Sequence, residues 1–406
     1  MYKEHITLSQ LMGKNQKVQN TSLVKSVDVP AVVLAVYYWG FILLRPILQI
    51  AKSNSTLILL GFVLVLLSIF SLNIFIKRRL QLNEALLMIF SFAILFILDV
   101  LLRNNECSYK YIYQFTYSGL IPVIFLSQVE NSKKLLYYFS ILSSVAFIIY
   151  AYDPIENYVL FGNYMDFGFN LAMPAFLGLF IGFHYFGIRW MFLLEVLCFI
   201  EILVFANRSA LLSIMVFVVF YVLGQKQLTR NLWVLILISS CIGGFLYNNA
   251  ISIIDMLYEF VHDLGYSSYA LSAMHSYFTM QDIETLFSGR FYIWEMANAM
   301  IYEEPLFGQG MGSFEAKTGL YSHNIVLDIM LFYGIIGLII FCAIISKSGW
   351  CLLKSESSTK VLGTLFCCLW FPKLLFSAYF YEDIGFWCFL VFGFIKWKTI
   401  TKEAMP

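Results

Sequence analysis

Three residues in the second half of the chain are of the kinds that handle phosphate oxygens and protons: Arg208, Arg290 and His323. The planar guanidinium donates in pairs and matches the fork of phosphate oxygens, which a lysine ammonium does not. Histidine, with an ordinary pKa near ~6.5, takes or gives a proton close to neutrality. Arg208 lies in Ala206-Asn207-Arg208-Ser209-Ala210-Leu211-Leu212, a tight turn between two apolar runs. It either pairs with Glu201, two helical turns earlier, or holds an anionic ligand. Arg290 falls in the first turn of a helix predicted over 288–304. Ser288 is its N-cap, Phe291, Trp294, Ala297 and Ile301 form one apolar face, and Pro305 stops it. A cation there opposes the helix dipole by roughly a few tenths of a kcal/mol. An anion bound at the same place reverses the sign, because free N–H groups and guanidinium then cooperate. His323 stands where a long polar stretch runs back into an apolar one. It is either an interfacial structural residue or a group that orients or deprotonates a hydroxyl. Between Arg290 and His323, Gly308, Gly310 and Gly312 recur at spacing two. They either present N–H groups to an anion or a sugar or simply let the chain turn back toward the membrane. No strand precedes them, so they are not a dinucleotide fingerprint.

The elements that must position these groups follow from composition. Of 406 residues, 60% are hydrophobic and only 13% charged, against roughly 25% in soluble domains. So few charges cannot cover a water-exposed surface, and the surroundings of most of the chain must be lipid. A net charge of +1 argues against a nucleic-acid partner, which requires a basic face. The eight cysteines are scattered and read as small packing residues. No His, Cys, Asp or Glu cluster shows metal-ligand spacing. The first 28 residues are polar and no cleavable leader is expected.

Apolar runs near 30–50, 56–76, 84–102, 112–128, 135–151, 167–186, 190–206, 209–224, 232–249, 323–346, 360–380 and 384–397 predict an all-α polytopic membrane protein of about twelve transmembrane helices. Residues 1–406 then form a single integral membrane domain. With both termini cytoplasmic, the inner segments hold 18 of the 26 lysines and arginines, as the positive-inside bias requires. The outer segments carry 15 acidic and six basic residues. Arg45, Asp99, Glu195, Asp328 and Lys373 fall within spans, where ionisable groups line cavities or pair internally. One long, partly helical external loop, 250–322, is the only sizeable extramembrane segment. There is no internal repeat.

Arg208-Ser-Ala-Leu-Leu at a span start, Ser288-Gly-Arg-Phe-Tyr-Ile-Trp294, Pro305-Leu-Phe-Gly-Gln-Gly-Met-Gly312, His323-Asn-Ile-Val-Leu327 and Gly334-Ile-Ile-Gly337, taken in this order, resemble the O-antigen ligase/polymerase superfamily over roughly 200–345. The resemblance implies a glycosyltransferase of the bacterial cytoplasmic (inner) membrane with its active site on the external face. Its donor is a glycan on a polyprenyl diphosphate, typically undecaprenyl diphosphate; it needs no cofactor, nucleotide sugar or metal. It places the superfamily's turn arginine on Arg208, its loop arginine on Arg290 and its loop-end histidine on His323. Asn324 and the three glycines become candidate substrate contacts. The expected partners are lipid-linked oligosaccharide as donor and acceptor, membrane lipid, and a chain-length regulator protein. A polymerase extending the glycan on its lipid is favoured over a ligase delivering it to lipid A core. From another class, a lipid-linked oligosaccharide flippase suits twelve spans, but not the missing repeat or the one-sided loop.

Overall fold

The computed structural model describes residues 27–45, 47–48, 55–77, 81–103, 107–150, 164–205, 208–223, 250–263, 265, 268, 271–272, 274–276, 290–377 and 379–397. Every regular element among them is helical. In chain order they are α1 (Val29–Leu43), α2 (Ser55–Lys77), α3 (Glu84–Arg103), α4 (Ser108–Phe115 continued by Ile121–Ser127), α5 (Ser132–Tyr150), α6 (Tyr164–Tyr185), α7 (Met191–Phe205) and α8 (Arg208–Leu223). Then come α9 (Ala250–Asp263), α10 (Arg290–Glu303), α11 (Ser313–Thr318), α12 (Ile325–Lys354), α13 (Ser357–Phe376) and α14 (Ile384–Phe392).

Six of these helices are long and apolar enough to cross a membrane: α2, α3, α5, α6, α12 and α13. The chain is therefore a multi-pass membrane protein. Five further expected spans correspond to shorter or interrupted helices, namely α1, α4, α7, α8 and α14. The expected span 232–249 lies outside the described residues, as does the N-cap at Ser288. Interruption has a local cause in α4 and α6. A π-turn, Thr116–Leu120 in one and Phe167–Ala172 in the other, runs directly into a segment with proline at its second position. Pro122 and Pro174 have no N–H for the carbonyl four residues back, and the widened turn relieves the clash of their rings.

The helices pack in a continuous series. α1 lies on α4 and α5, α5 on α6, α6 on α7 and α8, α8 on α13, and α13 on α12 and α14. α1 starts at Asp28, whose side chain accepts from Ala31 N–H at 3.4 Å and from Glu130 and Asn131 N–H at 3.1 and 2.9 Å. One buried carboxylate thereby caps a helix and ties it to the α4–α5 turn.

α12 is broken in the middle. Gly334 has φ 63° and ψ −161°, outside the helical region. The carbonyls this frees are taken by the segment after Pro305: Gln309 N–H donates to Leu331 O at 2.7 Å and Gly310 N–H to Phe332 O at 3.1 Å. In return, Ile335 N–H donates to Pro305 O at 2.9 Å. Non-helical backbone at this depth survives because another piece of protein satisfies it. The approach leaves no room for side chains: a Cβ on Gly334 would lie 2.3 Å from the Leu306 backbone, and one on Gly308 2.7 Å from Gly334 N. From α3, Arg103 donates to the carbonyls of Gly308 and Phe332 at 2.8 and 3.3 Å, and Asp99 accepts from Met311 N–H at 2.7 Å. An i,i+4 pair on one span thus clamps the inserted segment.

Candidate active site

Arg208 is the first residue of α8 and Arg290 the first of α10. Two arginines therefore sit at helix starts, where each opposes its own helix dipole. They are close enough that Arg208 depresses the pKa of Arg290, adding to the larger effect of burial. Tyr164, at the start of α6, and Tyr321 act on Arg290 in the opposite sense. No ion pair joins Arg290 to a carboxylate among the described residues. Nor does one join Arg208 to Glu201. Two cations held together, each at the positive end of a helix, are an arrangement that an anion relieves.

His323 faces the same place. Its neutral form is favoured by burial and then by Arg290, which together lower its pKa to about 4. Its Nδ1 is buried and has no hydrogen-bond partner among the described residues. The Tyr321 ring lies against it, centroids 3.6 Å apart, and the Tyr379 ring lies 4.2 Å from that of Tyr321. Burial, opposed by Arg290, pushes the Tyr321 hydroxyl up to about 12, so it is a neutral donor near pH 7.

The histidine is held under strain. Its φ is 56°, and it is the one non-glycine residue at positive φ among the described residues. Such a conformation costs ~1–3 kcal/mol and persists only where its surroundings impose it. Here they do. Trp294 Nε1 of α10 donates to Ser322 O at 2.9 Å. The Ser322 hydroxyl donates to buried Asp328 at 2.6 Å. Asn324, the N-cap of α12, accepts from Val326 and Leu327 N–H at 2.9 and 3.3 Å. The imidazole is thereby aimed by α10 and α12 together, and α10 also carries Arg290.

Asn324 also donates to Leu375 O at 3.3 Å. Its side chain thus caps α12 and docks α13. The glycine segment tells a similar story. Gly308, Gly310 and Gly312 have φ of 65°, 93° and 77°. Gly308 N–H already donates to Glu304 O at 3.0 Å, and Gly310 N–H serves the α12 break. Neither offers a free donor to an anion. Gly312 is the left-handed residue that starts α11, with Tyr111 and Cys107 against its face. The Gly308 and Gly310 amides are thus committed within the protein, and Arg208, Arg290 and His323 are brought together.

Sequence reasoning missed the tyrosines around this centre. Tyr321 is two residues from His323 and was legible as a neighbour, but Tyr164 arrives from the start of α6 and Tyr379 from the turn after α13. It also missed the Asp99–Arg103 clamp, since charges within a span carry no sign of their partner. Among the described residues no three His, Cys, Asp or Glu side chains gather as a metal site.

Residues 193–342 match the family model described as O-antigen ligase. Neither a curated protein nor a solved structure matches the chain. The matched segment is a little over a third of the sequence, and it contains both arginines, the glycine segment and His323. Over that segment the chain is similar to the O-antigen ligase family.

Proposed function

We propose that this protein is a membrane glycosyltransferase that polymerises polyprenyl-diphosphate-linked oligosaccharide repeat units into a surface polysaccharide. The observation that carries the reading is the convergence of two helix-start arginines and a neutral, buried histidine. In the reaction an acceptor hydroxyl oxygen attacks the anomeric carbon of the donor sugar, and the bond from that carbon to the diphosphate oxygen breaks. Negative charge grows on the departing diphosphate. Arg208, Arg290 and the Tyr321 hydroxyl are placed to stabilise it, and preorganised donors of this kind supply the largest share of many rate enhancements. The hydroxyl proton passes to the neutral imidazole of His323. Attack opposite the leaving group inverts the anomeric centre.

The chain spans the membrane about twelve times with both termini cytoplasmic. The active site lies on the external face of the cytoplasmic membrane, and residues 250–322 are an external loop. Undecaprenyl diphosphate carries the donor glycan, and a chain-length regulator is a partner. A second reading, a ligase that moves the finished glycan to lipid A core, is favoured by the description of the matched family model. Transfer by purified protein in detergent decides between them. Lipid-linked repeat units alone are converted into longer lipid-linked glycans by a polymerase, whereas a ligase needs lipid A core added. No transfer with either acceptor, but lipid-linked oligosaccharide moved across vesicle bilayers, rejects both in favour of a flippase. The mechanism uses arginine in place of a divalent ion, so transfer survives EDTA; activity lost to EDTA and restored by magnesium refutes that part.

A further inference from the structure

Beside the arginine–histidine centre lies a cavity of about 360 Å³ that none of its chemistry uses. Its walls come from α1, α2, α4, α6, α13 and the turn into α14. Every lining residue lies outside the 193–342 segment matched to the family model. The segment that carries the arginines and histidine is thus distinct from the part of the chain that builds this space.

The cavity has both charged and aromatic lining residues. Arg45 and Lys373 bring two positive charges, Glu382 and Asp383 two negative ones. That balance distinguishes it from the arginine pair, because a diphosphate would meet two carboxylates. Lys373 and Asp383 are already committed to each other at 2.8 Å, and Asp383 also caps α14 through Phe386 N–H at 2.7 Å. Glu382 is different. One oxygen accepts from Gln114, the other takes no hydrogen bond from a described residue, and the side chain is open. The Gln114 side-chain oxygen is buried without a hydrogen-bond partner among the described residues. Asn170, whose amide donates to Asp166 at 3.4 Å, also lines the cavity, as do the rings of Tyr113 and Tyr117, 4.8 Å apart.

Two chain paths connect this cavity to the reaction centre. Tyr164, which acts on Arg290, and Asn170 are six residues apart on α6, ~9 Å at the helical rise. Tyr379, stacked on Tyr321, is three residues before Glu382. A volume of this size sits at the low end of the ~300–1,000 Å³ typical of small-molecule sites and suits one or two sugar rings. Balanced charge, an open carboxylate, an amide and a tyrosine face fit a polyol: vicinal hydroxyls donate to carboxylate oxygens while C–H faces lie on aromatic rings.

We propose that this cavity binds sugar rings of the glycan, with Glu382 and Asn170 as hydrogen-bonding groups and Tyr113 and Tyr117 as the stacking face. The assignment rests on the glycosyl-transfer reading for the identity of its ligand. Two probes separate the sites: the repeat-unit oligosaccharide freed from its lipid by mild acid, and polyprenyl diphosphate without sugar. Binding of each to the purified full-length protein in detergent is followed by intrinsic fluorescence and by displacement of labelled probe. In Glu382→Gln and Asn170→Ala, oligosaccharide binding falls ~10-fold or more, the size expected when a charge-assisted or buried hydrogen bond is lost. Polyprenyl diphosphate binding stays within about twofold of wild type, which also reports that the variants are folded. Arg290→Ala gives the reverse pattern. Unchanged oligosaccharide affinity in both cavity variants, or a parallel loss of polyprenyl diphosphate, overturns the assignment. Both readouts are binding, so they report on the cavity independently of whether the wild-type protein transfers sugar.

Discussion

Lowering the pH tests the role of His323 most directly. Burial and Arg290 bring its pKa from the ordinary 6.5 to about 4. At pH 7 roughly one molecule in 1,000 carries the extra proton, against about one in four for an unperturbed imidazole. If the neutral imidazole accepts the acceptor's proton, kcat/KM, which reports the free enzyme, is nearly flat from pH 7 to 5.5. An ordinary histidine would lose about tenfold over that interval. The kcat profile differs, because a bound diphosphate offsets the charge of Arg290. Its acid limb therefore lies at higher pH than that of kcat/KM, and the base strengthens when substrate arrives. The assay is initial transfer rate in detergent across pH 4.5–8, with histidine ¹³C NMR following the ring itself. In Arg290→Gln the ring titrates at higher pH than in wild type but still below 6.5, since burial, the larger cause, remains. His323→Gln, which accepts a hydrogen bond but no proton, loses ~10²–10⁴-fold in rate if proton transfer is the role. A kcat/KM limb at pH 6–6.5, or wild-type rate in His323→Gln, refutes the reasoning. The same shift has a stability consequence of definite sign. Between about pH 4 and 6.5 the unfolded chain binds a proton that the folded chain refuses, so this group makes the fold more stable as pH rises through that window.

Arg290→Ala and Arg208→Ala abolish polymer while the protein still reaches the membrane, and lysine at either position rescues poorly because a point charge replaces a fork; lysine variants at wild-type rate would remove the bidentate phosphate contact. A topology reporter fused after Lys317 scores as external and one after Lys354 as cytoplasmic, and the opposite result inverts the membrane orientation. Gly334→Ala lowers the melting temperature of the detergent-solubilised protein, by a destabilisation of ~2 kcal/mol or more, since a Cβ meets the Leu306 backbone at 2.3 Å in a positive-φ conformation. An unchanged melting temperature would mean that the α12 break is not a fixed feature.

What the sequence alone determines here is the solvent and the chemistry. A chain with 13% charge and repeated apolar runs has to live in lipid, because transfer energies act residue by residue and need no knowledge of neighbours. The end of α10 at Pro305 was readable for the same local reason, as proline lacks the N–H that a helix needs. Arg208, Arg290 and His323 stand out because few residue types handle diphosphate or a neutral-pH proton. The tertiary structure decided what those groups face. Local pattern cannot say that Tyr164 and Tyr379 close around the arginine and histidine, since they come from segments separated by more than two hundred residues. Nor can it say that the Gly308 amide is spent on Glu304 and the Gly310 amide on the α12 break. A glycine at positive φ looks the same in sequence whether its N–H meets a ligand or a broken helix; only the position of Gly334, Leu331 and Phe332 against it distinguishes the two. The charges within the spans follow the same rule. Asp99 with Arg103 became a clamp and Lys373 with Asp383 a wall, while Glu382 kept an open oxygen. Whether a charge in a membrane protein is structural or functional depends on which partner the packing brings to it.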